Sequence, residues 1–354
     1  MQRFLKWSFI LGLPLFLGFL GWQGWVWWSW VTSSPLLGSP AAKEVEIKIP
    51  PGTAAQQIGR ELEEAGLIRS STAWDMWAHW LHLQDAKGGF KAGTYQLSPT
   101  EPLSMIAAKI WQGKEVERSF TIPEGWSLRQ MAAYFEAQGF FSAKDFLAAT
   151  SQAQSSQYPW LPTDLHSLEG FLYPDTYKLS SSRLTPQTVV QQMLSQFEQK
   201  ALPLYRQGQN QTKLNLQQWV TLASIVEKEA VVPVERPRIA GVFISRLRQG
   251  MRLESDPTVE YALGIRQTAA QPLTLTQVKM PSPYNTYLNP GLPPAPIASP
   301  GLSSLKAALY PEHTPYLYFV ARYDGTHVFS RTLSAHQAAQ ATIRRRERGE
   351  LGSQ

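Results

Sequence analysis

The longest apolar stretch of the chain lies at its N-terminus. No charged residue occurs between Trp7 and Val31, Arg3 and Lys6 precede this run, and the next charge is Lys43. Such a run is long enough to cross a bilayer as a helix, and the positive charges before it predict a cytoplasmic N-terminus. A cleaved signal peptide is the alternative, but the run is long for one and lacks a clear cleavage site. We therefore expect an uncleaved anchor over residues 1–31, with the bulk of the chain outside the membrane.

A strand-turn-helix pattern occurs twice after a linker at 32–43, which is rich in Ser, Pro, Gly and Ala. Residues 47–68 align without gaps with residues 120–141. The identical pairs are Ile49/Ile122, Pro50/Pro123, Gly52/Gly125, Gln57/Gln130, Glu63/Glu136 and Gly66/Gly139. Each copy predicts a strand, a Pro-Gly turn, an amphipathic helix and a glycine at the helix end. Any strand-turn-helix unit could give such a pattern, but the shared spacing favours an internal duplication.

The first copy resembles the LysM type of glycan-binding module in its strand, its Pro-Gly turn and its helix. Residues 90–97 alternate in polarity and predict a strand that closes a small sheet. We expect a LysM-like module over 44–115 and a mixed α+β domain over 116–354, which begins with the second repeat at 118–150. Together with the N-terminal helix, these elements predict the α+β fold class.

One amphipathic helix, from Asn215 to Glu229, places a carboxylate on its apolar side. Asn215 and Gln218 form a capping-box pattern at its start. At 100° per residue, Glu229 lies within about 60° of the large aliphatic side chains of the last turns, whereas Glu227 is turned about 200° away from Glu229. A carboxyl in apolar surroundings has a raised pKa, which suits a proton donor near neutral pH. The alternative is an exposed Glu229 that pairs with Lys228 or an arginine.

Three other segments hold polar side chains that could line a cleft. Asp256, before Pro257, predicts a helix N-cap and follows a basic helix whose arginines could border Glu229. Residues 281–300 are too rich in proline for regular structure and predict a stiff loop. The loop offers aromatic and amide groups suited to sugars, Tyr284, Asn285 and Tyr287. Glu169 lies in an aromatic segment, where either a cleft position or a structural anchor is possible.

Composition narrows the possible chemistry. The chain has 354 residues, no cysteine, six histidines and a net charge of +6. Disulfides and thiolate metal sites are therefore excluded, and the dispersed histidines lack the spacing of a metal site, so we expect neither metal nor cofactor. No basic patch is interleaved with aromatic residues, which argues against nucleic acid as a partner. Motifs for serine hydrolases and nucleotide binding are also missing from the sequence. A single protonated carboxyl remains as the predicted catalytic group.

Several motifs, taken together, closely resemble the YceG-like endolytic murein transglycosylases, and the resemblance covers nearly the whole chain. They are A-S-I-V-E-K-E (223–229), R-L-R-Q-G-M-R-L-E-S-D-P-T-V (246–259), Y-N-T-Y (284–287), G-L-P-P-A-P-I-A-S-P-G (291–301) and Y-L-Y-F-V (316–320). In that family the second glutamate of E-K-E is catalytic, which corresponds to Glu229. Ala230 departs from the pattern, since a threonine is expected after this motif.

The resemblance implies cleavage, without water, of the β-1,4 bond between N-acetylmuramic acid and N-acetylglucosamine, which leaves a 1,6-anhydro end. It also implies glycan strands of peptidoglycan as substrate, a single-pass location in the inner (plasma) membrane, and peptidoglycan synthases or division proteins as partners. We expect Tyr284 and Asn285 to position sugars, with Asp256, Glu169 and Tyr287 as further candidates. The alternatives are a non-catalytic, membrane-anchored peptidoglycan-binding scaffold and a muramidase-type hydrolase.

Overall fold

The computed structural model describes residues 2–36, 43–151, 157–163, 165–180, 184–268, 271–322 and 324–347, and the side chains of residues 2–15 are outside this description. The described chain forms two compact units. Unit 1 comprises residues 1–119 with 178–184, and unit 2 comprises 120–177 with 185–354. Together the two units contain helices and three small two-stranded sheets, which agrees with the predicted α+β class.

Unit 1 is built around a small antiparallel sheet covered by helices. Its elements are α1 (Gln2–Thr32), β1 (Val45–Ile49), α2 (Ala55–Glu64), α3 (Ser71–Gln84), β2 (Gly93–Leu97) and α4 (Leu103–Gln112). β1 pairs with β2 in the register Ile47 to Tyr95. The core between sheet and helices includes Trp74, whose indole N–H donates to the Ala55 carbonyl at 2.9 Å. The predicted closing strand is therefore present and pairs with the first strand of the unit.

The predicted anchor is only partly covered by the description. Helix α1 spans the apolar run, but within the described residues no helix is both long enough and apolar enough to span a membrane. Part of the run falls on residues whose side chains lie outside the description. The anchor therefore stays a prediction.

Unit 2 contains most of the helices. They are α5 (Leu128–Ala137), α6 (Ala143–Ser151), α7 (Pro186–Lys200), α8 (Leu202–Gly208), α9 (Leu216–Glu229), α10 (Arg236–Arg248), α11 (Asp256–Leu263), α12 (Leu275–Val278), α13 (Leu302–Leu309) and α14 (Leu333–Glu347). Strand β5 (Tyr318–Ala321) pairs with β6 (His327–Ser330) in unit 2, and the residues of the third strand pair, β3 (Glu117–Thr121) with β4 (Thr176–Ser180), are divided between the two units. Strands β5 and β6 form a C-terminal hairpin, and α14 follows it. Residues 281–300 form no helix or strand, as their prolines indicated.

The two sequence repeats fold alike. Each has a strand, a glycine turn, a helix and a second glycine beyond the helix end. The turn glycines Gly52 and Gly125 have φ of 83° and 77°, and the helix-end glycines Gly66 and Gly139 have φ of 70° and 69°. Because a side chain disfavours positive φ, the four glycines are needed at these positions. The ungapped alignment thus reflects one local fold used twice.

Helix α9 is the central helix of unit 2. Asn215 accepts a hydrogen bond from the Gln218 backbone N–H at 2.8 Å, and the Gln218 side chain accepts from the Asn215 N–H at 3.0 Å. This confirms the predicted capping box. The helix is buried from Trp219 to Val226 and packs against α13 and α10. The indole of Trp219 donates to the Leu305 carbonyl at 2.9 Å, which joins α9 to α13. A rigid, buried helix therefore carries Glu229 at its C-terminal end.

Candidate active site

The two glutamates at the end of α9 have different environments. Glu227 has a side chain only 6% exposed, forms an ion pair with Arg236 at 3.3 Å and accepts the Gly301 N–H at 3.1 Å. Glu229 is half-buried and lines an open cleft. The two side chains therefore point to different sides of α9, as the helix geometry predicts. Glu227 joins α9 to α10 and α13, whereas Glu229 is available to a ligand.

Ser255 holds the Glu229 carboxyl in place. Its hydroxyl donates to Oε1 of Glu229 at 2.6 Å, and its backbone N–H donates to the Thr286 hydroxyl at 3.0 Å. Ser255 is 1% exposed and is the N-cap of α11, so the prediction of Asp256 as N-cap was wrong by one residue. Its side chain makes no capping bond to α11. Sequence reasoning missed Ser255 because its partner lies in a different helix.

Burial raises the pKa of Glu229 to about 7. The Ser255 hydrogen bond opposes this effect because it stabilises the carboxylate, and the positive charge of Arg246 acts in the same direction. The negative charges of Asp256 and Glu260 raise the pKa further. With this pKa, Glu229 can both donate and accept a proton near neutral pH, which is the property required of a single acid/base group.

The cleft around Glu229 has a volume of about 630 Å³. Asp256 and Tyr287, both predicted as site residues, line the same cleft. The Tyr287 hydroxyl donates to Asp256 Oδ1 at 2.6 Å, and the Gln267 amide donates to Asp256 Oδ2 at 3.1 Å. Both oxygens of Asp256 are thus held in fixed directions beside Glu229.

Three further carboxylates line the cleft, those of Asp256, Glu254 and Glu260. Asp256 was predicted as a site residue. Glu254 and Glu260 were not, because they precede or belong to another helix, which only the tertiary fold brings against α9. No three His, Asp or Glu side chains of the described ranges are placed to share a metal ion.

Arg246 fixes one wall of the cleft, as the basic helix α10 suggested. Arg246 is only 6% exposed. Its guanidinium donates to the carbonyls of Leu317, Arg252 and Leu253 at 2.6–3.0 Å and to the Glu254 carboxylate at 3.2 Å. It also lies over the Tyr318 ring, 5.0 Å from the centroid. One arginine therefore ties α10 to the segment before Ser255 and to the C-terminal hairpin.

Asn285 belongs to the framework of the proline-rich loop. It is 1% exposed, and its amide donates to the carbonyls of Val278 and Met280, both at 2.9 Å. Its Oδ1 accepts the Tyr287 N–H at 2.9 Å. The side chain thus shapes the loop and supports Tyr287, and it is not among the residues that line the cleft.

Glu169 and Tyr284 lie together, away from the lining of the cleft. Glu169 is 2% exposed and accepts hydrogen bonds from the Leu128 N–H at 3.0 Å and the Tyr261 hydroxyl at 3.0 Å. The rings of Tyr261 and Tyr284 are 4.9 Å apart. Burial raises the pKa of Glu169 to about 7. Of the two readings of Glu169, this position fits the structural anchor.

Comparison with known proteins places the chain in a family. Residues 47–342 match the model of the YceG-like family. The chain belongs to this family. It is 32% identical over 309 residues to the endolytic murein transglycosylase of Bacillus subtilis (strain 168), an alignment that covers 84% of each chain. The YceG-like region contains Glu229, Ser255 and the whole lining of the cleft.

Two further proteins are similar to this YceG-like chain. The endolytic murein transglycosylase of Streptococcus pneumoniae (strain R6) is 33% identical over 307 residues, which cover 79% of this chain and 54% of the pneumococcal protein. The chain therefore spans about half the length of that relative. The crystal structure of a YceG-like protein from Listeria monocytogenes is 33% identical, with a TM-score of 0.58, and covers 84% of this chain and 100% of the Listeria chain.

Proposed function

We propose that this protein is an endolytic murein transglycosylase, which cleaves the β-1,4 bond between N-acetylmuramic acid and N-acetylglucosamine and leaves a 1,6-anhydro end. The observation that carries the proposal is the Glu229 carboxyl, held by Ser255 in an open cleft with a pKa of about 7. Relatives that carry this name support it, since they share about a third of their aligned residues with the chain.

In the proposed reaction one carboxyl acts twice. Protonated Glu229 gives its proton to the glycosidic oxygen as the bond from that oxygen to C1 of the muramyl residue breaks. The Glu229 carboxylate then takes the proton of the C6 hydroxyl of the same residue, and the C6 oxygen bonds to C1. The N-acetylglucosamine side leaves with a hydroxyl, and Glu229 is protonated again. No water is consumed.

Asp256 and Tyr287 assist this reaction in our proposal. The charge of Asp256 favours the protonated form of Glu229 and suits the positive charge that develops at C1 as the bond breaks. Tyr287, held through Asn285 and Asp256, presents a rigid aromatic wall to the cleft. Tyr284, Asn285 and Glu169 support the loop and helix around the site, where they would affect sugar positioning indirectly.

Product analysis tests the proposed reaction. Purified glycan strands are incubated with the protein, and the new ends are identified by mass spectrometry. We expect fragments that result from cleavage within the strand, and we expect these fragments to carry 1,6-anhydro ends. Reducing ends would instead identify a muramidase-type hydrolase, and binding without any product would identify a scaffold. Either of these two results would refute the proposal.

The Ser255→Ala variant tests how the pKa of Glu229 is set. Loss of the hydroxyl removes a bond that stabilises the carboxylate, so the pKa of Glu229 rises above about 7. Activity that needs the protonated acid therefore persists to higher pH, and the basic limb of the rate profile moves up by up to about one pH unit. Rates measured from pH 5 to 9 check this. An unmoved basic limb would show that Ser255 does not tune the acid.

We further propose that unit 1 is a LysM-like module that binds glycan. Its α2-α3 side has a pocket of about 330 Å³ lined by Trp111, Phe90 and Asp75. The rings of Phe90 and Trp111 are 5.2 Å apart, an aromatic surface suited to sugar faces. Within the described chain Oδ1 of Asp75 is buried without a hydrogen-bond partner, which leaves an unmet acceptor beside this aromatic surface.

The Trp111→Ala variant tests the glycan-binding role of unit 1. In the full chain with Glu229→Gln, which prevents turnover, we expect Trp111→Ala to weaken glycan binding by about tenfold, because stacking on one aromatic ring is lost. Trp80→Ala is the matched control, since Trp80 is 45% exposed and does not line the pocket. Equal affinities for the two variants, measured by calorimetry, would argue against the site.

The membrane location also stays a proposal. We propose a single-pass anchor in the inner (plasma) membrane, a cytoplasmic N-terminus, and synthases or division proteins as neighbours. The far half of α1 supports this, since Trp22, Trp25, Trp27 and Trp30 are 44–67% exposed, and such rings favour membrane interfaces. Membrane fractionation with protease protection tests it, and recovery of the full chain in the soluble fraction would refute it.

A further inference from the structure

A second, smaller pocket adjoins the cleft. It has a volume of about 200 Å³ and shares four lining residues with the cleft, Lys228, Pro257, Glu260 and Arg266. Its other side is formed by the start of α5, including Ser127 and Arg129, and by Tyr261 and Gly264 of α11 and its end. The pocket and the cleft are therefore neighbours along one surface, separated by the side chains that they share.

Cations predominate in this cationic pocket. Arg129, Lys228 and Arg266 line it together with one carboxylate, that of Glu260. The Glu260 carboxylate already accepts the Gln267 N–H at 3.2 Å, and Glu260 is 9% exposed. Among the ion pairs of the described residues, none involves Arg129, Lys228 or Arg266. Positive charge thus exceeds negative charge along the lining of this pocket, which favours an anionic ligand.

The contacts of Lys228 and Arg129 leave donors available. Lys228 donates to the Gly125 carbonyl at 3.4 Å, a long bond, and its remaining N–H groups can point elsewhere. Arg129 lies over the Tyr261 ring, 5.8 Å from the centroid, so the ring holds its guanidinium from one face. The guanidinium edge stays able to make the paired bonds that carboxylates accept.

The protein bears a cost for this arrangement. Burial lowers the pKa of Lys228, and the like charge of Arg266 lowers it further. Partly buried cations that repel each other destabilise a fold unless an anion offsets them. The carboxylates of Glu260 and Glu227 act on Lys228 in the opposite direction, and that of Glu169 interacts with Arg129. Glu227 is already paired with Arg236, and Glu169 accepts bonds from the Leu128 N–H and the Tyr261 hydroxyl. A ligand anion would therefore still make the arrangement more favourable. Lys228 also adjoins Glu229 in the chain, which links the cationic pocket directly to the candidate acid.

We propose that the cationic pocket binds the carboxylate carried by the muramyl residue of the glycan, and thereby sets which bond lies at Glu229. This rests on the proposed function. The two sugars of the strand differ because only N-acetylmuramic acid carries a lactyl ether on C3. That ether ends either in a free carboxylate or in an acidic peptide, so every negative charge of the strand belongs to muramyl residues. Charge recognition beside Glu229 would distinguish the two alternating bonds.

Binding measurements test this inference apart from catalysis. The full chain with Glu229→Gln is titrated calorimetrically with glycan oligomers of one length in three forms: free lactyl carboxylates, intact stem peptides, and lactyl groups converted to the neutral methylamide. We expect Arg266→Gln to weaken binding of at least one carboxylate form by about tenfold and to leave the methylamide form unchanged. Arg129→Gln provides an independent second variant. Arg206→Gln makes the same charge change on α8, outside both cavities, and should leave all three affinities unchanged.

The three forms separate the possible outcomes. Weaker binding of the free-lactyl form identifies the lactyl carboxylate, and weaker binding of the peptide form alone identifies a peptide carboxylate. Equal loss for the methylamide form, or no loss for either carboxylate form, would overturn the inference. These results do not depend on the product ends, so a hydrolase in the product assay would overturn the proposed reaction and leave this inference standing.

Discussion

The Glu229→Gln variant is expected to lose at least 99% of glycan-cleaving activity while it keeps its fold. Gln has nearly the same shape and can still accept the Ser255 hydroxyl bond, but it has no proton to give to the glycosidic oxygen. General acid/base groups contribute on the order of 10²- to 10⁴-fold in rate, and here one group serves both steps. Initial rates of anhydro-end formation, measured by mass spectrometry with circular dichroism as a check on folding, give the loss.

Glu227→Gln is the matched control because it makes the same chemical change two residues earlier on α9. Glu227 is bound to Arg236 and to the Gly301 N–H and does not line the cleft, so the acid remains in place. We expect the folded fraction of this variant to keep activity within a few-fold of the native protein. If Glu229→Gln cleaves glycan strands as fast as the native protein does, the assignment of Glu229 is refuted. If neither protein gives products, the result favours the scaffold.

The central helix shows what the sequence could predict. A capping box at Asn215, the burial of the aliphatic face and the different directions of the Glu227 and Glu229 side chains all follow from local residue spacing. Local rules suffice here because each feature depends on residues within one helix. The repeated strand-turn-helix was predictable for the same reason, since its glycines need positive φ whatever the rest of the chain does.

The surroundings of Glu229 were harder to predict. Arg246 fixes the segment before α11 against α10, which helps to place Ser255 and Asp256 beside the acid. Nothing in the spacing of these residues reveals that contact. Asn285 and Glu169 illustrate a second difficulty, since a polar residue among apolar ones can mark a site or a buried anchor. Both have their oxygens and donors bonded inside the protein, and sequence alone does not distinguish the two cases.

The same pair of glutamates yields a second large effect, on stability. The folded protein raises the pKa of Glu229 from its usual 4.5 to about 7, so folding binds its proton more tightly than the unfolded chain does. The stability this gives is fully present below about pH 4.5 and is lost as the pH rises through about 7. At pH 8 the folded protein must hold a desolvated carboxylate, at a cost of up to about 3 kcal/mol relative to acid conditions.

Glu229→Gln should therefore stabilise the protein at pH 8, whereas Glu227→Gln should destabilise it. The first change removes the desolvated charge and keeps the Ser255 bond, which is expected to raise the unfolding temperature by about 5 °C. The second removes the ion-pair partner of Arg236, whose side chain is 11% exposed, and leaves it only the weaker electrostatic interaction with Glu124, at a cost of up to about 3 kcal/mol. Thermal unfolding at pH 8 and pH 4 measures both changes in stability, and the gain from Glu229→Gln should vanish at pH 4.

A Glu229→Gln variant that is less stable than the native protein at pH 8 would contradict the raised pKa of Glu229. If the same Glu→Gln substitution changes the stability at pH 8 in opposite directions at the two sites, Glu229 serves the chemistry at the expense of the stability of the fold, whereas Glu227 stabilises the fold.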